Sequence, residues 1–316
     1  MSPAAPCVLA VDVGGTGIKA TVLDADLAVR HTTWRPTGRE RGPRAVVDTV
    51  TALVTELLDT AGRHGTPPQA VGLALPGIVD ETTGTAVHSA TIGWRNVTFH
   101  DIISGATDLP VAVTHDVRAG GTAEARLGAG RGHDHFLFVP IGTSIGAVIM
   151  TGSRAGTGAH HCAGKIGHLR IRPNGEPCTC GARGCAETYA SAAAVARRYA
   201  AVTGRTADAA EVAARTAAGE LPARAVWDEA VDALADMLVL TTTVLDPPLI
   251  VLGGGLSQAG DLLLDPLRTA MAAKATVSAV PTVEAAEHGE RAGCLGAGLQ
   301  ALDLIPGPVR TGARSL

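Results

Sequence analysis

The chain has 316 residues, of which 46% are hydrophobic but only 3% are aromatic, and its formal net charge is −4 at pH 7. This length favours two domains, whose cores must be built largely from Ala, Val and Leu. The charge argues against a general nucleic-acid or anionic-membrane surface, and no apolar run is long enough to span a bilayer.

The opening residues carry no basic leader and run straight into a strand pattern, so we do not expect a signal peptide. A reducing cytoplasm is the expected setting. The scattered Cys7, Cys162 and Cys294 are therefore interpreted as small buried apolar residues.

The N-terminal segment predicts a β-hairpin. An apolar run at residues 8–11 leads into D-V-G-G-T-G-I-K, which starts at Asp12, and a strand-like run follows at 20–23. The bare backbone at the glycine tip and the hydroxyl of Thr16 can hold phosphate oxygens, and Asp12 is placed to hold a hydrated Mg²⁺. An ordinary glycine-rich turn is the alternative. A P-loop is not indicated, because no Gly-Lys-Ser/Thr opens a helix here.

Helical and strand patterns alternate in the next hundred residues. The apolar spacing predicts a helix over 44–58, a strand over 70–75, a hairpin through Thr83 and Gly84, a short helix over 101–106 and a strand over 110–113.

Asp116 lies just past the last of these strands, where a helical pattern begins. Open α/β sheets place their chemistry at this point, after the carboxyl end of a strand. An Asp before a helical pattern is also typical of a helix N-cap, and the sequence alone favours the cap.

Residues 136–150 repeat the strand, glycine turn and strand of the N-terminus. The apolar run at 136–140 continues into I-G-T-S-I-G-A-V-I-M. Because such a hairpin opens each half of the chain, we expect a duplicated fold with phosphate groups held between the halves.

The stretch from Gly167 to Cys185 predicts a metal site. Cys178, Cys180 and Cys185 lie in a Gly/Pro-rich loop, and His168 precedes the first of them by ten positions. One imidazole and three thiolates are the ligand set of a closed tetrahedral zinc site. Free buried cysteines and a disulfide are the alternatives, although nothing in the sequence indicates the secretion that a disulfide would suit.

The C-terminal part alternates helices and strands as well. Glu187 lies just before the first predicted helix of this part, and it could be a first-turn glutamate that the helix dipole favours. The patterns predict helices from about 191 and over 208–218, 221–245, 262–271 and 293–302, strands over 249–252 and 282–284, and a loose tail from Pro306.

Four motifs resemble those of the ROK family of sugar kinases and sugar-responsive repressors, in the family's order and over nearly the whole chain. K-I-G-H followed by C-x-C-G-x-x-G-C-x-E-x-Y resembles the family's zinc signature. D-V-G-G-T resembles its first phosphate motif, which the wider actin and hexokinase-like ATPases share, and the glycine turn of the second hairpin resembles the second phosphate motif. The stretch around Asp116 resembles the family's Asn-Asp motif.

This resemblance implies an α/β fold of the actin-like ATPase (RNase H-like) type, with two lobes built from duplicated mixed sheets. The expected lobes are residues 1–115, completed by the last helix at 293–305, and residues 116–292 with the zinc loop and the nucleotide site. ATP and substrate are expected in the cleft between them. The resemblance also implies a homodimer or homotetramer, and we expect no nucleic-acid or membrane partner.

The implied reaction is phosphoryl transfer from Mg·ATP to a hydroxyl, expected to be the exocyclic hydroxymethyl, of a hexose or close analogue. Asp116 would take the proton of that hydroxyl, and Glu187 would accept hydrogen bonds from the other hydroxyls. His168 would bind a structural Zn²⁺ through one nitrogen and face the substrate with the other. The nucleotide-binding residues that the resemblance implies are Asp12, Gly14, Gly15, Thr16, Lys19, Gly142, Thr143, Gly146, Gly254 and Gly255.

Three substrate-facing positions depart from the family pattern. Lys165 replaces a glutamate that binds ring hydroxyls, and His115 and Thr91 replace asparagines. An ammonium only donates hydrogen bonds, whereas a carboxylate only accepts them. Either the replacement is neutral and the Lys165 side chain points into solvent, or the substrate specificity has changed. A C7-cyclitol of the valiolone or valienone type, phosphorylated at its 7-hydroxyl, is one alternative substrate.

A non-catalytic sugar sensor is the second class of function. The repressors of the family carry a helix-turn-helix domain before the hairpin. Asp12 follows only eleven residues, so we expect no such domain here.

Overall fold

The computed structural model describes residues 6–306, which divide into two compact units. Unit 1 comprises the described residues up to Gly120 and those from Gly293 onward, and unit 2 is Gly121–Ala292. The predicted tail beyond Pro306 lies outside the described residues.

The elements of the N-terminal part are, in chain order, β1 (Cys7–Val13), β2 (Gly17–Asp24), β3 (Val29–Pro36), α1 (Pro43–Arg63), β4 (Pro68–Leu75), β5 (Ile78–Asp80), β6 (Thr85–His88), β7 (Arg95–Thr98), α2 (Phe99–Thr107), β8 (Val111–His115) and α3 (Asp116–Leu127). The boundary between the units falls inside α3.

The elements that follow are β9 (His135–Pro140), β10 (Val148–Thr151), β11 (Arg154–Ala155), α4 (Glu187–Ala190), α5 (Ala192–Thr203), α6 (Ala209–Ala217), α7 (Leu221–Leu245), β12 (Leu249–Gly253), α8 (Asp261–Lys274), β13 (Thr282–Ala285) and α9 (Ala292–Leu302).

Each unit contains one five-stranded mixed sheet, and the two sheets share one topology. The strand order is β3-β2-β1-β4-β8 in unit 1 and β11-β10-β9-β12-β13 in unit 2. In unit 1, β1 pairs antiparallel with β2 and parallel with β4. In unit 2, β9 likewise pairs antiparallel with β10 and parallel with β12. The predicted duplicated mixed-sheet α/β fold is confirmed, and so are both predicted glycine hairpins.

The central strand β1 is buried on both faces, because its side chains alternate between two apolar clusters. Leu9 and Val11 pack in the cluster that includes α1 and α2. Val8 and Ala10 pack on the other face, in a cluster of small residues that includes Ala297 of α9. The strand therefore has a fixed register, and its carboxyl end has a fixed position.

The burial of one cysteine and the presence of two strands differ from the sequence-based expectations. Cys162 is exposed, contrary to the prediction of a buried apolar residue, whereas Cys7 and Cys294 are buried. Strands β3 and β7 were not predicted, because both are mostly exposed and lack an apolar period. Among residues 6–306 no helix combines the length and apolar character needed to cross a membrane.

Helix α9 approaches its neighbours at backbone distance. A Cβ added at Gly72 of β4 would lie 2.0 Å from the carbonyl oxygen of Ala297, and one added at Gly296 would lie 1.9 Å from that of Ala119. Because both obstacles are backbone atoms, they cannot rotate away as a side chain could. Glycine is required at both positions for steric reasons.

We expect Gly296→Ala to lower the free energy of unfolding of unit 1 by about 1–3 kcal/mol, since it forces α9 away from α3. The measurement is urea denaturation followed by circular dichroism. Gly62→Ala is the matched control, because Gly62 lies in α1 with no atom within 4 Å of an added Cβ. That control should raise the stability by up to about 1 kcal/mol through helix propensity. Equal stability of Gly296→Ala and the wild type would contradict the close-packing argument.

Candidate active site

Asp116 is the first residue of α3 and directly follows β8. Its carboxylate is about a third exposed, and Oδ1 accepts a 2.7 Å hydrogen bond from the N–H of Val117. Nε2 of His115 lies 3.2 Å from the same oxygen. The residue therefore belongs to the first helical turn and presents its carboxylate at the carboxyl end of a parallel strand.

The segment around Asp116 is held by Glu81, which lies in the turn between β5 and β6. Oε1 of Glu81 accepts hydrogen bonds from the hydroxyl of Thr114, from Nε of Arg118 and, at 3.1 Å, from the N–H of His115. The Arg118 side chain is only 3% exposed, and it also donates a 2.7 Å bond to the carbonyl of Val79. A buried guanidinium of this kind requires a paired anion.

In the N-terminal hairpin, Asp12 and Lys19 are direct cross-strand partners. Burial and the charge of Asp116 raise the pKa of Asp12 to about 7, while Lys19 acts to lower it. Because like charges interact over short distances, this coupling indicates that the two carboxylates share one end of the unit 1 sheet.

The tip of this hairpin is supported from behind by Thr37. The N–H of Gly14 donates to the carbonyl of Gly17 at 2.8 Å, which closes the turn. The buried Thr37 donates its hydroxyl to the carbonyl of Gly14 at 2.7 Å and its N–H to the carbonyl of Thr16 at 3.0 Å. The carbonyl groups of Gly14 and Thr16 are therefore both hydrogen-bonded to Thr37.

Two side chains pack directly on the tip. A Cβ at Gly15 would lie 2.8 Å from Cγ2 of Thr91, so the predicted substrate residue Thr91 does lie beside the glycine hairpin. A Cβ at Gly17 would lie 2.2 Å from Nε1 of Trp34, whose side chain is otherwise 57% exposed. An exposed tryptophan beside the glycine hairpin was not anticipated from the sequence.

The glycine turn of unit 2 is joined to the loop that carries the predicted nucleotide-binding residues Gly254 and Gly255. Ile141 donates its N–H to the carbonyl of Gly253 at 2.9 Å and accepts a bond from the N–H of Leu256. Gly254 has a φ of 79° and lies so close to Ile141 that a Cβ would be 2.5 Å from its carbonyl oxygen. The predicted nucleotide residues of this unit, which are Gly142, Thr143, Gly146, Gly254 and Gly255, therefore lie on two loops in contact.

Glu187 contacts the same glycine turn. It begins the four-residue helix α4, and its Oε2 accepts a 2.9 Å hydrogen bond from the N–H of Ile145. The carboxylate is thus fixed by tertiary structure, beyond any effect of the helix dipole.

The four predicted metal ligands form a cluster. One donor atom from each of His168, Cys178, Cys180 and Cys185 lies within 4.8 Å of all the others. The Sγ atoms of Cys180 and Cys185 are 3.7 Å apart, and Nδ1 of His168 is 3.7 Å from Sγ of Cys178. This separation of the sulfur atoms is too long for a disulfide, and all the cysteines are free.

The separations of the donor atoms fit a tetrahedral zinc ion. With Zn–S bonds of about 2.3 Å, two thiolates of a tetrahedral site lie about 3.8 Å apart, and a thiolate and an imidazole nitrogen about 3.6 Å apart. In the metal-free cluster, burial and the neighbouring thiols raise the pKa of Cys185 to about 12. Metal binding must therefore release protons.

The segment before the ligands packs against the glycine turn of unit 2. Gly167 approaches the carbonyl of Ile145, and the N–H of Ala147 donates to the carbonyl of Gly164 at 2.8 Å. The side chain of Lys165 is exposed, and its carbonyl accepts a 3.1 Å bond from the N–H of His168. Nδ1 of His168 points toward the thiols, which leaves Nε2 for other partners.

The structure thus groups the predicted residues within each unit. Unit 1 brings together Asp12, the tip glycines, Thr91, His115 and Asp116, and unit 2 brings together the glycine turn, the Gly254 loop, Glu187 and the metal cluster. Sequence reasoning missed Glu81, Arg118, Thr37 and Trp34. No motif marks these residues, and their contacts join positions far apart in sequence.

Comparisons with known proteins identify the family of the chain. Residues 8–303 match the model of the ROK family. A glucokinase of Thermotoga maritima is 32% identical over 307 residues, covering 92% of this chain and 95% of that protein. The N-acetylgalactosamine kinase AgaK of a Shewanella species is 30% identical over 299 residues, covering 92% and 94%. A ROK family glucokinase from Streptomyces griseus, solved in complex with glucose and AMPPNP, superposes with a TM-score of 0.82 at 29% identity, covering 94% of this chain and 99% of that one.

We expect the purified chain to contain about one zinc ion per protomer, as a four-ligand site requires. Cys185→Ser should reduce the zinc content several-fold and lower the melting temperature. Metal analysis by mass spectrometry and a thermal melt with and without chelator are the measurements. Cys162→Ser is the matched control, because Cys162 is exposed and lies outside the cluster. A zinc-free protein whose melting temperature does not respond to chelator would contradict the assignment.

Proposed function

The chain belongs to the ROK family and is an ATP-dependent carbohydrate kinase, and we propose that it phosphorylates the exocyclic hydroxymethyl group of a hexose or hexose-like ring. The observation that carries this proposal is the position of Asp116. Its carboxylate lies at the carboxyl end of β8, close enough to Asp12 to raise the pKa of that residue.

In the proposed reaction, the oxygen of the acceptor hydroxyl attacks the γ-phosphorus of Mg·ATP while the bond to the β–γ bridging oxygen breaks. Asp116 takes the hydroxyl proton, and ADP leaves with the bridging oxygen. An ionised carboxylate with one oxygen free of main-chain donors is suited to this role. The products are the sugar phosphate, ADP and a proton that Asp116 later releases to water.

We assign the phosphate groups of ATP to the two glycine hairpins. The N–H groups of Gly14, Gly142, Ile145 and Gly146 are hydrogen-bonded within the protein. We therefore assign the phosphate oxygens to the backbone N–H groups of Gly15 and Thr16 in the first hairpin and of Thr143 and Ser144 in the second, which bind them without a side-chain charge. Asp12 would hold the magnesium ion that arrives with ATP. Its raised pKa fits this role, because a divalent cation favours the ionised carboxylate over the protonated form that burial favours in its absence.

In unit 2 we assign the ring hydroxyls of the substrate to His168 and Glu187. The zinc ion would be structural, since four protein ligands leave no open coordination position for a water molecule. When bound, it would fix Nδ1 of His168 and so orient Nε2. The same ligand set, with its free thiols, supports the proposal that the chain works in the reducing cytoplasm.

The identity of the acceptor is the finer part of the proposal. The relatives named above act on glucose or on N-acetylgalactosamine at nearly equal identity, so overall similarity does not select the sugar. We propose a hexose as the acceptor. A C7-cyclitol of the valiolone or valienone type, phosphorylated at its 7-hydroxyl, is the alternative. Lys165 is compatible with it because a ketone can be bound only by a hydrogen-bond donor, whereas a hydroxyl can pair with either a donor or an acceptor.

We expect Asp116→Asn to lower kcat by about 10³-fold, because an amide cannot take the proton of the acceptor hydroxyl. The measurement is steady-state ADP release coupled to NADH oxidation, together with a thermal melt. Asp101→Asn is the matched control, since Asp101 also follows a histidine but is largely exposed on α2. Unchanged kcat in Asp116→Asn would remove the base assignment. No turnover of any acceptor by the wild type, with sugar still bound, would instead indicate a non-catalytic sugar sensor.

We expect a screen of ADP release over hexoses, N-acetylhexosamines and C7-cyclitols to give one preferred class of acceptor. Lys165→Glu should raise kcat/KM for glucose by at least about 10-fold, since it restores a hydrogen-bond acceptor for ring hydroxyls. Arg170→Glu serves as the control, because it makes a charge reversal at another exposed residue of the same loop. An unchanged ranking of acceptors in Lys165→Glu would show that this side chain does not contact the substrate.

A further inference from the structure

The two oxygens of the Asp116 carboxylate are in different environments. Oδ1 receives the N–H of Val117 at 2.7 Å and lies 3.2 Å from Nε2 of His115. An ionised carboxylate has no proton to give, so Nε2 must carry the proton in this contact. Two donors therefore hold Oδ1, which leaves Oδ2 for the substrate.

We propose that His115 and Glu81 are positioning residues for the reaction, with His115 holding Oδ1 of Asp116 so that Oδ2 takes the proton of the acceptor hydroxyl. This proposal rests on the proposed function, in which Asp116 is the base. General-base catalysis needs the receiving oxygen within hydrogen-bond reach of the proton, and a misplacement of 1 Å costs about 10²-fold in rate. A carboxylate held by the Val117 N–H alone could still rotate about its Cβ–Cγ bond.

Glu81 in turn holds the backbone at His115 and the side chains on either side of it. Its Oε1 accepts hydrogen bonds from the hydroxyl of Thr114, the N–H of His115 and the guanidinium of Arg118. These three residues lie on both sides of Asp116 in sequence. The end of β8 and the first turn of α3 are thereby fixed to a single oxygen. Thr114 and Arg118 are almost fully buried, so water cannot easily replace a lost bond.

The position of Glu81 gives this arrangement its rigidity. The residue lies in the turn that joins β5 to β6, and Arg118 reaches across to the carbonyl of Val79 in β5 at 2.7 Å. Charge pairing and hydrogen bonds therefore connect the small three-stranded sheet to the start of α3. We infer that the β5–β6 hairpin, through Glu81, fixes the position of Asp116.

The test uses His115→Ala, His115→Gln and Glu81→Gln in the full-length enzyme. The amide nitrogen of glutamine reaches about as far from the main chain as Nε2 of histidine, so His115→Gln keeps the donor. Each variant is made in the wild type and in Asp116→Asn. His100→Ala is the matched control, because Nδ1 of His100 contacts the carboxylate of Asp101 at 3.0 Å in a second His-Asp pair, exposed on α2.

The assay measures kcat and KM for MgATP and for the acceptor, which is glucose or the screened compound with the highest kcat/KM. We expect His115→Ala to lower kcat by about 10- to 100-fold with little change in either KM, and His115→Gln to recover most of the loss. Glu81→Gln should lower kcat by about 10-fold, since its amide keeps an acceptor oxygen but loses the charge that pairs Arg118. His100→Ala should match the wild type.

In the Asp116→Asn background the same substitutions should cause no further loss, because positioning has no effect without the base. Losses that multiply in that background would show a merely structural role and overturn the proposal. An unchanged kcat in His115→Ala, or equal losses in His115→Ala and His115→Gln, would also overturn it. These results differ from failure of the proposed function, in which Asp116→Asn itself would leave kcat unchanged.

Discussion

The site in unit 1 depends on three parallel strands whose carboxyl ends lie at one edge of the sheet. Asp12 of β1 is in register with Ala74 of β4, which is in register with Thr114 of β8. Two inter-strand spacings amount to about 9.5 Å, so side chains at these strand ends can meet above the sheet. The close approach of two carboxylates follows from this register. The packing of β1 fixes the register in turn, since a slip of one residue would move Leu9 and Val11 into the cluster of small residues on the opposite face.

This proximity has a cost to folding that is consistent with a functional site. The pKa of Asp12 is raised to about 7 from its ordinary value of 3.8. A group whose folded pKa is raised contributes stability below its unfolded pKa, and that contribution is lost as the pH rises through the folded value. Without a bound cation, the protein is therefore destabilised near and above pH 7. Under the proposed function, a magnesium ion held by Asp12 would remove this penalty, so binding of Mg·ATP would raise the stability of the folded protein.

The sequence predicted those parts of the molecule that local patterns encode. Both hairpins, the ligand cluster and the place of Asp116 after a strand follow from apolar runs, glycines and short spacings. Glu81 and Arg118 could not be predicted, because their bond joins positions 37 residues apart and depends on how the small sheet packs beside α3. Cys162 was wrongly expected to be buried, since residue type alone gives only an average burial and this cysteine lies in an irregular loop. Strand β3 was missed because an exposed edge strand needs no apolar face.

The metal loop is held by charges as well as by its ligands, and this bears on how specificity could change. Arg172 pairs with Asp232 and Asp236 of α7, which also pair with Lys274 of α8. Glu176 pairs with Arg198 of α5. A network of this size is worth more than isolated surface pairs, so the segment between His168 and Cys178 is anchored to helices α5 and α7. His168 is therefore set by a rigid frame, whereas Lys165 lies on an exposed turn just before it. Under the proposed function, substitution at Lys165 would alter substrate contacts without disturbing the metal, so one scaffold could accommodate acceptors of different chemistry.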